Sequence, residues 1–260
     1  MTQPIVFRGG RLPDDPDRPH LKVSRILTTD LPAPPAAADW LSTVPADAWG
    51  MLGNDQVGDC TIAGLAHKRI GDAWANKGLR LDISTADCLR YYGHFGYRPG
   101  DPNTDRGAVC QDVLAYWHKN GFLGEKNLAY ARIKVDDHNE LKQAINLFGQ
   151  IYVGVTITQA AEDQFNGDEV WDVVRRSPNL GGHCITLGAY NENGLDAVTW
   201  GRVQRLTWSW WDVYGDEAWV ALNPSDFVDP KTGLDRSGLD LATMRADYGS
   251  LTRRSLALTV

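Results

Sequence analysis

Near Asp136 the texture of the sequence changes, and this limits the fold more than any other feature. Before it, apolar residues recur at helical spacing; after it they gather in β-branched blocks bounded by glycine and asparagine. Helices are predicted over 59–76, closed by Gly78, over 84–97, and over 108–120, stopped by Gly121. Ser84 with Asp87 reads as a capping-box variant. A short helix over 139–148 stops at Gly149. Strands are predicted over 150–157, 181–190, 195–200 and 218–222, the second and third joined by the turn Asn191-Glu192-Asn193-Gly194. Helices first and antiparallel strands second make an α+β fold.

The ends read differently. Most of the thirteen prolines fall within residues 1–45, in runs such as Pro13-Asp14-Asp15-Pro16-Asp17-Arg18-Pro19 and Leu31-Pro32-Ala33-Pro34-Pro35-Ala36. Such runs favour extended chain. The expected organisation is a proline-rich arm over 1–45, a folded domain over 46–228 and a C-terminal extension over 229–260. That extension carries a candidate helix at 240–247 and a weak edge strand at 255–260. The arm is either a strap on its own domain, a dock for another subunit, or a cover for the cleft as a propeptide would be.

A net charge of −7 argues against capture of nucleic acid or an anionic membrane. No apolar run is long enough to span a bilayer. The N-terminal residues lack a signal-peptide pattern, so a cytoplasmic location and reduced cysteines are expected. Cys60, Cys88, Cys110 and Cys184 make no paired-ligand spacing, so neither metal nor cofactor is expected. Cys88 and Cys110 fall within predicted helices and read as small core residues.

Chemistry concentrates in Gly53-Asn54-Asp55-Gln56-Val57-Gly58-Asp59-Cys60, a glycine-punctuated loop that runs into the first helix. With Asp59 as N-cap, Cys60 falls in the first turn, where unpaired N–H groups and the helix dipole favour a thiolate. Gln56 and Asn54 carry amides able to bond a developing oxyanion. His183 opens a glycine-flanked strand in Gly181-Gly182-His183-Cys184 and is the candidate base. His67 is two turns along from Cys60, too far to share its proton. His20, His94, His118 and His138 read as structural or surface residues. Asp55 and Asp59 are caps or, if ionised, groups that would raise the thiol pKa. Trp208-Ser209-Trp210-Trp211 is expected to pack on the strands.

With Gln56-x-Gly58-Asp59-Cys60 entering a helix, then Gly181-Gly182-His183-Cys184-Ile185-Thr186-Leu187-Gly188-Ala189-Tyr190, then Val198-Thr199-Trp200-Gly201, the chain resembles the papain-like cysteine peptidases over about residues 50–222. The Asn-Asp-Gln-x-Gly-Asp-Cys form also resembles a little-characterised group from actinobacteria and their phages. The resemblance implies a helical lobe carrying Cys60 packed on an antiparallel β-lobe carrying His183. By it, Cys60 is nucleophile, His183 base and Gln56 oxyanion donor. The family's glutamine stands about six residues before its cysteine, a place held here by Asn54. The third residue is Thr199 when counted from His183 and Val198 when aligned on the Trp-Gly pair. Asp196 is the nearest carboxylate and would suit a transglutaminase-like order.

Two functions are expected from this. One is a thiol hydrolase that cleaves a peptide or isopeptide bond in a peptide or protein substrate. The other is a weak or inactive papain-like structural protein of an assembly, such as a phage particle, whose arm contacts further copies or virion proteins.

Overall fold

A computed structural model describes residues 4–15, 17–25 and 33–223. The candidate C-terminal helix and edge strand lie outside these residues.

The helical lobe is built on α1 (Cys60–Lys77), with α2 (Thr85–Tyr92) and α3 (Cys110–Asn120) against it. α1 starts and stops where its sequence says: Gly78 closes it at φ 62°, in the left-handed region that glycine tolerates. Ser84 and Asp87 form the reciprocal capping box of α2. α2 is shorter than predicted, because Gly93 turns the chain into a 3₁₀ turn that ends at Gly96 (φ 101°). α3 is also shorter, since Ala108 and Val109 leave it to form a strand.

The β-lobe holds a seven-stranded sheet. Its strands are β2 (Ala38–Asp39), β4 (Ala129–Ile133), β5 (Ile151–Thr158), β6 (Asn179–Tyr190), β7 (Gly194–Thr199), β8 (Arg202–Thr207) and β9 (Gly215–Leu222). The order is β4-β9-β5-β6-β7-β8, with β2 on β6, and every pairing is antiparallel. α4 (His138–Phe148), α5 (Gln159–Asn166) and α6 (Trp208–Tyr214) complete the lobe. α5 lies between the predicted strands 150–157 and 181–190, its N-terminus capped by Thr158. Trp210 and Trp211 are buried in the β-lobe core with Trp171, so the tryptophan run packs as expected.

Three contacts fix α1 on the sheet. Thr186 Oγ1 donates to the Gly64 carbonyl at 2.7 Å, and Tyr152 Oη donates to the Thr61 carbonyl at 2.8 Å. Gly64 lies so close to β6 that a Cβ there would stand 3.1 Å from Cys184 Sγ. One turn of helix therefore separates the Gly64 contact from Cys60 at the N-terminus.

Residues 4–15 and 17–22 run along the molecule and pack on it. β1 (Arg11–Leu12) pairs in parallel with β3 (Ala108–Val109). Farther on, Asp14 pairs with Arg132, and Gln111 Nε2 donates to the Pro19 carbonyl at 3.0 Å.

Candidate active site

Cys60 is the first residue of α1 and is fully buried. The first N–H groups of a helix have no acceptor within it, and here those of Ile62 and Ala63 donate to the Asp59 carbonyl at 2.8 and 3.0 Å, with the sulfur at this donor-rich end. Asp59 holds the N-cap position, but its side chain makes no cap bond. Its two carboxylate oxygens are buried without a hydrogen-bond partner, and burial pushes the carboxyl up to about 8. At neutral pH Asp59 is therefore mostly protonated and adds little negative charge beside the thiol.

His183 lies on β6, buried, its ring stacked on Trp200 with centroids 4.5 Å apart. Its Nε2 is 2.8 Å from Thr199 Oγ1 on β7. When Nε2–H donates to that hydroxyl, Nδ1 keeps the lone pair that a base needs. Nδ1 is buried with no hydrogen-bond partner, so no thiol–imidazole hydrogen bond is made in this conformation. Asp196 stands three residues before Thr199, on the opposite face of β7, and pairs with Arg205 instead. Val198 is buried in the helical-lobe core. Of the three candidates for the third position, Thr199 is the one at the imidazole.

The amide candidates separate as well. Asn54 is buried and donates from Nδ2 to the Val57 carbonyl at 3.3 Å, whereas Gln56 is exposed. Cys184 follows His183 and faces α1; it is a second buried thiol beside Cys60. His67 is buried against the Gly50 carbonyl at 2.8 Å, and burial pushes its pKa down to about 4, as befits a structural histidine.

The sequence left open whether the arm covers these groups, and here it does. A Cβ added to Gly10 would stand 2.9 Å from Cys60 Sγ and 2.3 Å from the Gly58 carbonyl oxygen. Three residues earlier, Phe7 meets the His183 ring edge-on with centroids 5.7 Å apart. The same short segment thus lies on both the thiol and the imidazole. α5 grips its start, since Phe7 N–H donates to Glu162 Oε2 at 2.6 Å and Ile5 N–H to Asn166 Oδ1 at 2.8 Å. β3 grips its end, where Ala108 N–H donates to the Gly10 carbonyl at 2.8 Å. Gly107 must be glycine here: its φ is 77°, and a Cβ would fall 2.1 Å from the Gly10 oxygen. The signal was present in Gly9-Gly10, a bare stretch of backbone inside an arm otherwise rich in proline and charge.

Electrostatics under this cover oppose an ion pair. Burial first, and the neighbouring Cys184 second, push the Cys60 thiol well above its ordinary range. Burial, with the Arg11 charge behind it, pushes His183 down to about 3. With the thiol far above the imidazole, both stay neutral. On the far side of Phe7 a cavity of about 640 Å³ continues between Trp49, Met51 and Trp200, partly lined by Ile5 and Arg8. Among the described residues no group of three or more His, Cys, Asp or Glu side chains is placed to hold a metal, and no helix is long and apolar enough to cross a membrane.

Several solved structures share this architecture. Xylellain, a cysteine protease from Xylella fastidiosa, matches with a TM-score of 0.60 and 15% identity, over 85% of this chain and 98% of its own. Procathepsin B S9 from Trypanosoma congolense matches with a TM-score of 0.60 and 10% identity, over 84% of this chain and 86% of its own. Digestive procathepsin L 3 of Tenebrio molitor matches with a TM-score of 0.51 and 14% identity, over 83% and 76%. No family model matches the sequence, and no curated protein does.

Proposed function

We propose that this chain, whose fold is that of the papain-like cysteine proteases, is a thiol hydrolase of peptide or isopeptide bonds, with Cys60 as nucleophile and His183 as base. The observation that carries the reading is the His183–Thr199 contact at 2.8 Å together with a thiol at a helix N-terminus, both lying under the same segment from Phe7 to Gly10. Residues 5–12 hold the enzyme at rest.

In the working state the arm has left the cleft and water or substrate replaces it. Hydration lowers the thiol pKa and raises that of the imidazole, since desolvation is the first cause of both shifts. The proton passes from Sγ to Nδ1, and the thiolate attacks the substrate carbonyl carbon. The carbonyl oxygen, now anionic, is bonded by N–H groups of the first turn of α1, with a side-chain amide as further donor. Asn54 is the buried amide and Gln56 the exposed one, so Asn54 serves with the loop as it stands and Gln56 only if the loop folds inward. Nδ1–H then protonates the leaving amine, and water, deprotonated by His183, releases the acyl group from sulfur.

A second reading, a papain-like protein of weak or no activity in an assembly, is favoured by Thr199. A neutral hydroxyl orients the imidazole but gives its cationic form less support than a carboxylate would. Labelling with a thiol-directed electrophile, read by mass spectrometry on the Phe7→Ala/Arg11→Ala chain, separates the two. The hydrolase reading expects Cys60 to react far faster than Cys88, Cys110 and Cys184. Equal rates at all four would support the inactive protein.

A further inference from the structure

Arg11 follows the glycine that lies on Cys60, and its side chain enters a pocket between β5, β6 and β9. Nη1 donates to Glu217 Oε1 at 3.0 Å, and Nη2 pairs with Asp216. Only 1% of the Glu217 side chain is exposed, while its other oxygen accepts from Trp219 Nε1 at 2.7 Å. Asp216 also accepts from Thr156 Oγ1 at 3.0 Å. Two glycines clear the way. A Cβ on Gly154 would stand 2.6 Å from Arg11 Cδ, and one on Gly182 would stand 3.1 Å from Arg11 Nε.

We propose that this pocket is the specificity pocket of the proposed hydrolase, that it takes an arginine or lysine side chain of the substrate next to the residue seated on Cys60, and that Arg11 is the chain's own stand-in for it. A buried carboxylate stripped of its cation is strongly unfavourable, so once the arm leaves, Glu217 needs another. Gly182 adjoins His183, so the pocket is one residue from the base. The pocket holds the full length of the Arg11 side chain, whose guanidinium meets both carboxylates at once. An apolar side chain of equal length would leave Glu217 unpaired, and an acidic one would be repelled. The inference rests on the hydrolase reading and adds to it the class of substrate.

The test uses the full chain carrying Arg11→Ala, which vacates the pocket. Two short peptide electrophiles, identical except for arginine or norleucine beside the residue that carries the reactive group, compete for Cys60. The arginine probe is expected to label at least about tenfold faster, the scale of satisfying a buried charge. Adding Glu217→Gln should collapse that ratio toward one while keeping an acceptor for Trp219. Adding Asp216→Asn, at the more exposed carboxylate, should lower it less and guards against a folding failure in the first variant. Because the readout is a ratio of two probes on one thiol, general changes in sulfur reactivity cancel. Equal rates in Arg11→Ala, or a ratio that survives Glu217→Gln, would overturn the proposal while iodoacetamide still labels Cys60 selectively. Failure of iodoacetamide to prefer Cys60 would instead bring down the hydrolase reading, and this proposal with it.

Discussion

In the proposed mechanism, Thr199 and Asp59 are the neighbours that bear on the imidazole and the thiol. If the Thr199 hydroxyl orients His183, then Thr199→Val, which keeps the shape and removes the bond, should slow Cys60 labelling in the arm-displaced chain. The loss is bounded by about 10⁴-fold, the scale of an orienting carboxylate in a triad, and a hydroxyl belongs toward the lower end. Thr199→Asn should retain more of the rate than Thr199→Val, because its carbonyl can still accept from Nε2–H. Equal rates for both variants and the parent would remove Thr199 from the site. Asp59 yields a prediction about stability. Its folded pKa of about 8 lies above the ordinary 3.8, so the folded state holds a proton that the unfolded state has lost. The favourable contribution is complete below pH 4, declines between pH 4 and pH 8, and is gone above that. The decline from this one group is at most about 1.4 kcal/mol per pH unit. Asp59→Asn should flatten that part of the curve of urea midpoint against pH; a parallel decline in the variant would show that Asp59 is not the titrating group.

Among the elements, the join of α1 to β6 fixes the helix that starts with Cys60 on the strand that carries His183. Gly64→Val would push a branched side chain onto Cys184 Sγ, at a cost of about 1–3 kcal/mol in overpacking, and should slow Cys60 labelling as well. Ser84→Ala offers the contrast. It removes a cap of α2 worth about 1 kcal/mol and should lower the thermal midpoint without touching Cys60 reactivity. If both variants altered labelling alike, the α1–β6 contact would have no special role. This level is also where the sequence was most readable. Periodicity and glycine stops located α1, α4 and the β5, β6, β7 run, because α4 buries one regular face and the others are apolar runs buried over most of their length. β4, β8 and β1 with β3 were missed: β4 is five residues with only alanines and one isoleucine inward, β8 buries Gln204 while exposing Val203, and β1 and β3 are two residues long. α5 was hidden in a polar stretch whose burial comes only from Ala161 and Phe165.

For the whole molecule, the arm is the part that local patterns left undecided. Nothing in the spacing of Phe7, Gly10 and Arg11 announces a cleft, since the groups they meet lie far along the chain on three different elements. Likewise Glu217 reads as an ordinary charge in Gly-Asp-Glu-Ala-Trp until the sheet buries it beside Trp219. Phe7→Ala should loosen the arm, because it removes the ring packed on His183 and Trp200 while leaving the backbone bonds to α5 in place. It is expected to speed Cys60 labelling in the intact chain, and an unchanged rate would mean the arm does not limit access. The positions of Cys60 at a helix start and of His183 on a strand behind two glycines, by contrast, were legible, for both are local patterns.

The most direct test is the pH dependence of Cys60 alkylation by a small uncharged electrophile, compared between the Phe7→Ala/Arg11→Ala chain and the same chain with His183→Ala. A thiolate paired with an imidazolium keeps reacting well below the ordinary thiol range near 8.5, so the first chain should show a plateau reaching into mildly acidic pH. The His183→Ala chain should lose that plateau and react only as the lone thiol ionises. Two superimposable curves rising together above pH 8 would show that the imidazole does not act on the sulfur.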